Sequence, residues 1–173
     1  MKEKVPLVFW SGRAEATAYV LDCIKSGRTI DTISMVHPEK AHVAKAEHEA
    51  RQKLDAYLIE TYPSSIRNQY ICSEGDIISE FPDESPHNCI YWGYYLLLNF
   101  NPQIHSHVVC CMAKNGTSPY WQFHRDMMML FEHMRTKYHR DDITMQFPYK
   151  MVDREILIES LDKPMRDMIC TID

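Results

Sequence analysis

The sequence predicts an α/β domain: a three-layer sandwich built on a mostly parallel, five-stranded sheet. Three observations carry this expectation. Short β-prone runs alternate with stretches of helical periodicity along the whole chain. No repeat, linker or low-complexity tract interrupts that order, so residues 1–173 read as one domain. With 173 residues, 45% of them hydrophobic, the chain suits a single buried core. The right-handed crossover rule then leaves helices on both faces of the sheet.

Residues 5–10 (VPLVFW) form the first strand-like run, which ends at Ser11-Gly12. Between 14 and 26 the period becomes helical, with Ala14, Thr17, Ala18, Leu21 and Ile24 at three- and four-residue steps and Gly27 placed to end the helix. Residues 29–36 (TIDTISMV) alternate as a strand does, and His37-Pro38 stop it. Residues 40–61 predict a long, largely solvated helix with a narrow stripe of Ala50, Leu54, Tyr57 and Leu58. A short strand is expected at 69–72 and a loop at 81–87 (FPDESPH). The run 89–100 (CIYWGYYLLLNF) is apolar nearly all round, which predicts a buried helix. A strand at 107–112 and a turn at 114–119 follow. A helix over 123–138 should turn Met127, Leu130, Phe131 and Met134 inward. The last strand is expected at 143–147, with a charged helix from about 153 to 161.

Composition narrows the function classes. A net charge of −5 gives no general attraction for nucleic acid, whose binding rests on phosphate neutralisation. No stretch reaches the roughly 18–20 apolar residues of a membrane span. The opening residues lack the apolar region and cleavage-like site of a secretory signal. The cysteines (Cys23, Cys72, Cys89, Cys110, Cys111 and Cys170) contain no C-x-x-C pair and read as reduced thiols of a cytoplasmic protein.

In an open parallel sheet, ligands sit beyond the carboxyl ends of the strands, which here are residues 11–17, 37–39, 112–120 and 148–150. The first of these is the most informative. A strand that runs through Ser-Gly into a helix presents free N–H groups and a positive dipole end, an anion or phosphate site. The same residues have an ordinary reading: Ser11 as helix N-cap, Gly12 as a tight-turn glycine, Glu15 as a first-turn acid. His37 and His124 fall at this edge, in reach of a base or phosphate or as rim histidines. His105 and His107 share a strand face at a metal-compatible spacing, without an identifiable third ligand. Tyr91, Trp92, Tyr94 and Tyr95 read as core or subunit interface ahead of base stacking; with Met127–Met129 they favour a homodimer. Cys110 and Cys111 send one sulfur to each face and have no activating partner.

This layout resembles the PP-loop ATP pyrophosphatases, and within them the 7-cyano-7-deazaguanine synthases of queuosine synthesis. Where that family carries Ser-Gly-Gly-x-Asp-Ser, this chain has Ser11, Gly12, Arg13, Ala14, Glu15 and Ala16, followed by Thr17. Pro86-His87-Asn88-Cys89 resembles the Pro-Gly-Arg-Asn that opens the family's apolar helix. Tyr120-Trp121-Gln122-Phe123-His124 resembles its Tyr-Pro-Asp-Cys-Arg stretch, and Pro148 with the 153–161 helix its late proline and helix. The resemblance implies a Rossmann-like sheet of the HUP type. It implies ATP or AMP with magnesium as cofactor, bound by Ser11, Gly12, Arg13, Glu15, Thr17 and His37, and a substrate pocket at Asn88, Asn115, Tyr120 and His124. Arg13 replaces a glycine, Ala16 loses a hydroxyl and Gln122 replaces a carboxylate; no cysteine cluster accompanies Cys170, so zinc is not expected. The implied function is a degenerate synthase-like protein that binds a nucleotide or a protein partner without the full reaction. Two alternatives stand beside it: an active ATP-dependent adenylating enzyme using a deazaguanine-type or other carboxylate, and a pocketless interaction domain.

Overall fold

Five parallel strands form one sheet in the computed structural model, which describes residues 3–36, 41–63, 65–73, 99–114 and 120–171. In chain order the elements are β1 (Val5–Phe9), α1 (Ala14–Lys25), β2 (Ile30–Val36), α2 (Ala41–Thr61), β3 (Ile66–Ser73), β4 (His105–Cys110), α3 (Tyr120–Lys137), β5 (Met145–Gln146), α4 (Arg154–Ser160) and α5 (Lys163–Met168). Across the sheet the order is β3-β2-β1-β4-β5. Each pairing is parallel, as the α/β expectation required.

The central strand explains its own composition. Val8 and Trp10 enter a core layer with Ala14, Ala18 and Leu21 of α1, Leu54 and Leu58 of α2, Leu157 and Met165. Leu7 and Phe9 face the other way, toward Ile33, Val108, Phe100, Phe131 and Ile143. A strand covered on both faces has no solvent side on which to alternate, so VPLVFW reads as a continuous apolar run.

Pro6 is unusual in a central strand, because it cannot donate to the ladder. It lies opposite an irregularity: Val5 pairs with His105 but Leu7 with Val108, so β4 spends one residue more than β1. A similar shift separates Ile30↔Ile66 from Asp31↔Asn68, which makes Arg67 the extra residue of β3. Both bulges sit at the amino ends of the strands and re-aim polar side chains onto Asp31. That carboxylate is fully buried and accepts Arg67 Nε at 3.1 Å and Nη2 at 2.5 Å, the Asn68 N–H at 3.0 Å, Asn68 Nδ2 at 3.1 Å and His105 Nε2 at 3.1 Å. His105 Nδ1 in turn accepts the Asn101 N–H at 3.0 Å, which fixes its proton on Nε2.

Several expected boundaries move. The fourth strand begins at His105, two residues early, and the fifth shrinks to Met145–Gln146 because Ile143 is taken up in a turn closed by its N–H on the Arg140 carbonyl at 3.1 Å. The strand expected at 69–72 extends to Ile66–Ser73. His105 and His107 do not share a face. The extra residue puts His105 on the side of Val108, where it packs 5.5 Å from the Phe100 ring, so the two-residue spacing is broken. In α2 the stripe of Ala50, Leu54 and Leu58 is buried as expected. In α3 Met127 and Phe131 are buried, whereas the side chains of Leu130 and Met134 fall outside the described residues. The apolar run at 89–98 also lies outside them.

Candidate functional site

The strand order reverses between β1 and β4, so the crevice of the switch point opens beyond their carboxyl ends. On the β1 side the chain leaves the sheet at Trp10, whose N–H bonds the Ile33 carbonyl at 2.9 Å, and turns through Ser11 and Gly12 into α1. Arg13, not Ser11, is the N-cap of α1: its extended φ −79°, ψ 164° precedes the first helical residue and its side chain caps nothing. Ser11 Oγ accepts the Arg13 N–H at 3.4 Å, so the serine shapes the turn instead of closing the helix. Among the described residues, no side-chain cap closes the first turn of α1.

Gly12 has φ +86°, a left-handed conformation that side chains disfavour. A Cβ there would lie 3.1 Å from the Arg51 nitrogen and from the Glu47 carbonyl oxygen. Its own carbonyl accepts the Cys170 N–H at 2.9 Å. The glycine is thus required by the close approach of α2, and the residues after α5 close against it. Thr17 is fully buried and its Oγ1 accepts the Trp10 indole N–H at 3.1 Å, a structural bond that commits the hydroxyl to the core. Its own O–H remains a donor, held at a fully buried position.

Among the described residues, three cations of this edge each have a carboxylate against them: Arg13 Nε to Glu47 Oε1 at 2.7 Å, Arg154 Nε to Glu15 Oε1 at 3.2 Å, and Lys114 Nζ to Asp153 Oδ1 at 3.4 Å. Arg13 and Glu47 keep only 31% and 18% of their side-chain surface, and Arg154 and Glu15 14% and 16%, so solvent screens these two pairs weakly. Burial opposes the charge on Arg13 most strongly, but the hydrogen bond and charge of Glu47, with Cys170 and Glu15, together outweigh it and hold the guanidinium more basic than usual. Lys114 follows β4 and is fixed by main-chain bonds, its N–H to the Val152 carbonyl at 2.7 Å and the Arg154 N–H to its own carbonyl at 3.1 Å. Each of these three pairs is internally balanced.

The neighbouring groups add little reactivity. Burial pushes the Cys111 thiol well up and the Cys23 thiol up, which keeps both protonated and weakly nucleophilic. His124 stands edge-on to Phe147 with ring centres 4.6 Å apart; burial, then Lys150, lowers its basicity, so the imidazole is neutral at pH 7. No family model matches the chain, and no curated protein matches it in sequence.

Of the residues singled out from sequence, Ser11, Gly12, Arg13, Glu15 and Thr17 lie together around one turn. His37, Asn88 and Asn115 lie outside the described residues, as does the side chain of Tyr120, which opens α3. Sequence reasoning missed Glu47, Arg51 and Arg154, because their relation to the loop crosses 34 residues in one case and most of the chain in another. Only Asp31 carried a local signal: an acid inside an otherwise strand-like run.

Proposed function

We propose that this chain is a PP-loop-like domain that binds a phosphorylated ligand of the adenine-nucleotide type at the β1–α1 turn and does not carry out the complete synthase reaction. The observation that carries the proposal is the reversal of strand order between β1 and β4, with the uncapped start of α1 opening directly onto it. Arg13 and Ser11 supply a guanidinium and a hydroxyl beside that start, and Arg154 reaches its first turn through Glu15. Magnesium would arrive with the nucleotide, held through its phosphates.

The loss of the synthase step follows from the residues. Arg13 stands where a bare backbone would approach the pyrophosphate, Ala16 supplies no hydroxyl, and Glu15 is bound to Arg154. Substrate adenylation needs uncompensated positive potential around the leaving pyrophosphate. Here the cations begin with partners.

Calorimetric titration of ATP, AMP and deazaguanine compounds, with and without magnesium, tests the proposal. Binding of ATP without release of AMP and pyrophosphate is expected, weakened about tenfold in Arg13→Ala by loss of one charge-assisted contact. AMP and pyrophosphate release would make the protein an adenylating enzyme instead. Absence of binding by any of these compounds would favour the interaction-domain reading, which draws on Gly12 being explained by packing alone.

A further inference from the structure

The contact between the β1–α1 turn and α2 contains more cationic than anionic machinery. Arg51, one helical turn beyond Glu47, is only 8% exposed. Its Nη2 meets His48 Nδ1 at 2.9 Å, a nitrogen that must be unprotonated to accept, and among the described residues Arg51 forms no ion pair. Burial lowers its basicity, and Asp55 and Glu47 offset this only from a distance. Asp55 is itself engaged by Gln69 Nε2 at 2.5 Å. Glu47 therefore serves two guanidiniums: Arg13 directly and Arg51 through space.

We infer that Glu47 is a built-in competitor for the turn's ligand, an autoinhibitory carboxylate that must release Arg13 before a phosphoryl anion can take its place. This rests on the ligand site proposed above and assigns its regulation. The carboxylate occupies Arg13 Nε at 2.7 Å in a partly desolvated setting, where a charged contact resists exchange. The backbone need not move for exchange to occur. Gly12 already sits against the backbone of the Glu47–Arg51 turn as closely as packing allows, so the swing of one glutamate side chain is enough to free the Arg13 guanidinium. A weakly charged anion cannot match the carboxylate, whereas a di- or triphosphate offers Arg13 more charge than Glu47 does.

The test is calorimetric titration of inorganic pyrophosphate into the full chain, Glu47→Gln and Arg13→Met at one ionic strength, with circular dichroism confirming each fold. Glu47→Gln is expected to bind at least about fivefold tighter than wild type, and Arg13→Met more weakly. Binding seen only in Glu47→Gln supports the inference in its strongest form. Wild-type binding with Glu47→Gln unchanged or weaker overturns the inference and leaves the ligand site standing. No binding by either protein, together with no ATP binding by wild type, overturns both. Should Glu47→Gln not fold, Glu47→Asp replaces it: the shortened arm loosens the pair and should tighten binding about twofold, and an unchanged affinity overturns the inference.

Discussion

Asp31 concentrates more hydrogen bonds than any ligand-edge residue described above. Burial opposes its charge, yet the donors of His105, Arg67 and Asn68 hold the carboxyl at about 2. A carboxyl whose folded value lies below its unfolded one stabilises the fold fully above the unfolded value, near 4, and loses that contribution as pH falls toward 2. The expected size is about 2 kcal/mol. Urea midpoints between pH 6 and pH 2.5 should drop steeply in wild type and more shallowly in Asp31→Asn, which is less stable at pH 6 because Arg67 keeps its charge without a counter-ion. Parallel acid profiles for the two proteins would remove Asp31 as the source.

Among the elements, α5 was the one absent from the sequence expectation. It has six residues, too short for a periodicity to show. Its start was nevertheless written in Asp162-Lys163-Pro164: Asp162 Oδ1 accepts the Met165 N–H at 3.0 Å, and a proline stands in the first turn. Asp162 Oδ2 also accepts the Tyr57 hydroxyl at 3.1 Å, tying α5 to α2. Asp162→Ala should cost about 1–2 kcal/mol in a denaturant titration, and Asp162→Asn should recover most of it; an Asn variant as weak as Ala would show that charge, not capping, matters. The helices α1 to α3 and the five strands were legible because their apolar spacing is local. The bulges beside Pro6 and Arg67 were not, since a bulge is a property of two paired strands, and with them went the supposed His105–His107 face. At the candidate site, Ser11 to Thr17 could be read from the strand-to-helix turn. The partners that decide its chemistry, Glu47 and Arg154, are brought there only by packing.

At the scale of the molecule, the core layer above β1 is shared by helices from both ends of the chain. Met165 and Ile169 are buried in it alongside Val8 and Trp10. Ending the chain after residue 161 should therefore abolish a cooperative thermal transition or lower its midpoint by more than 10 °C, estimated as roughly 3–5 kcal/mol for each large core side chain removed. An unchanged midpoint would show that α1, α2 and α4 suffice. The dimer expected from the sequence has one exposed candidate among its methionines, Met129 at 65%, whereas Met127 is core. The hydrogen bond from Cys170 to Gly12 has a consequence for biosynthesis. The β1–α1 turn is synthesised roughly 160 residues before the segment whose N–H bonds it. Until then the core layer that Met165 and Ile169 complete stays partly uncovered, so the nascent domain exposes apolar surface over that interval.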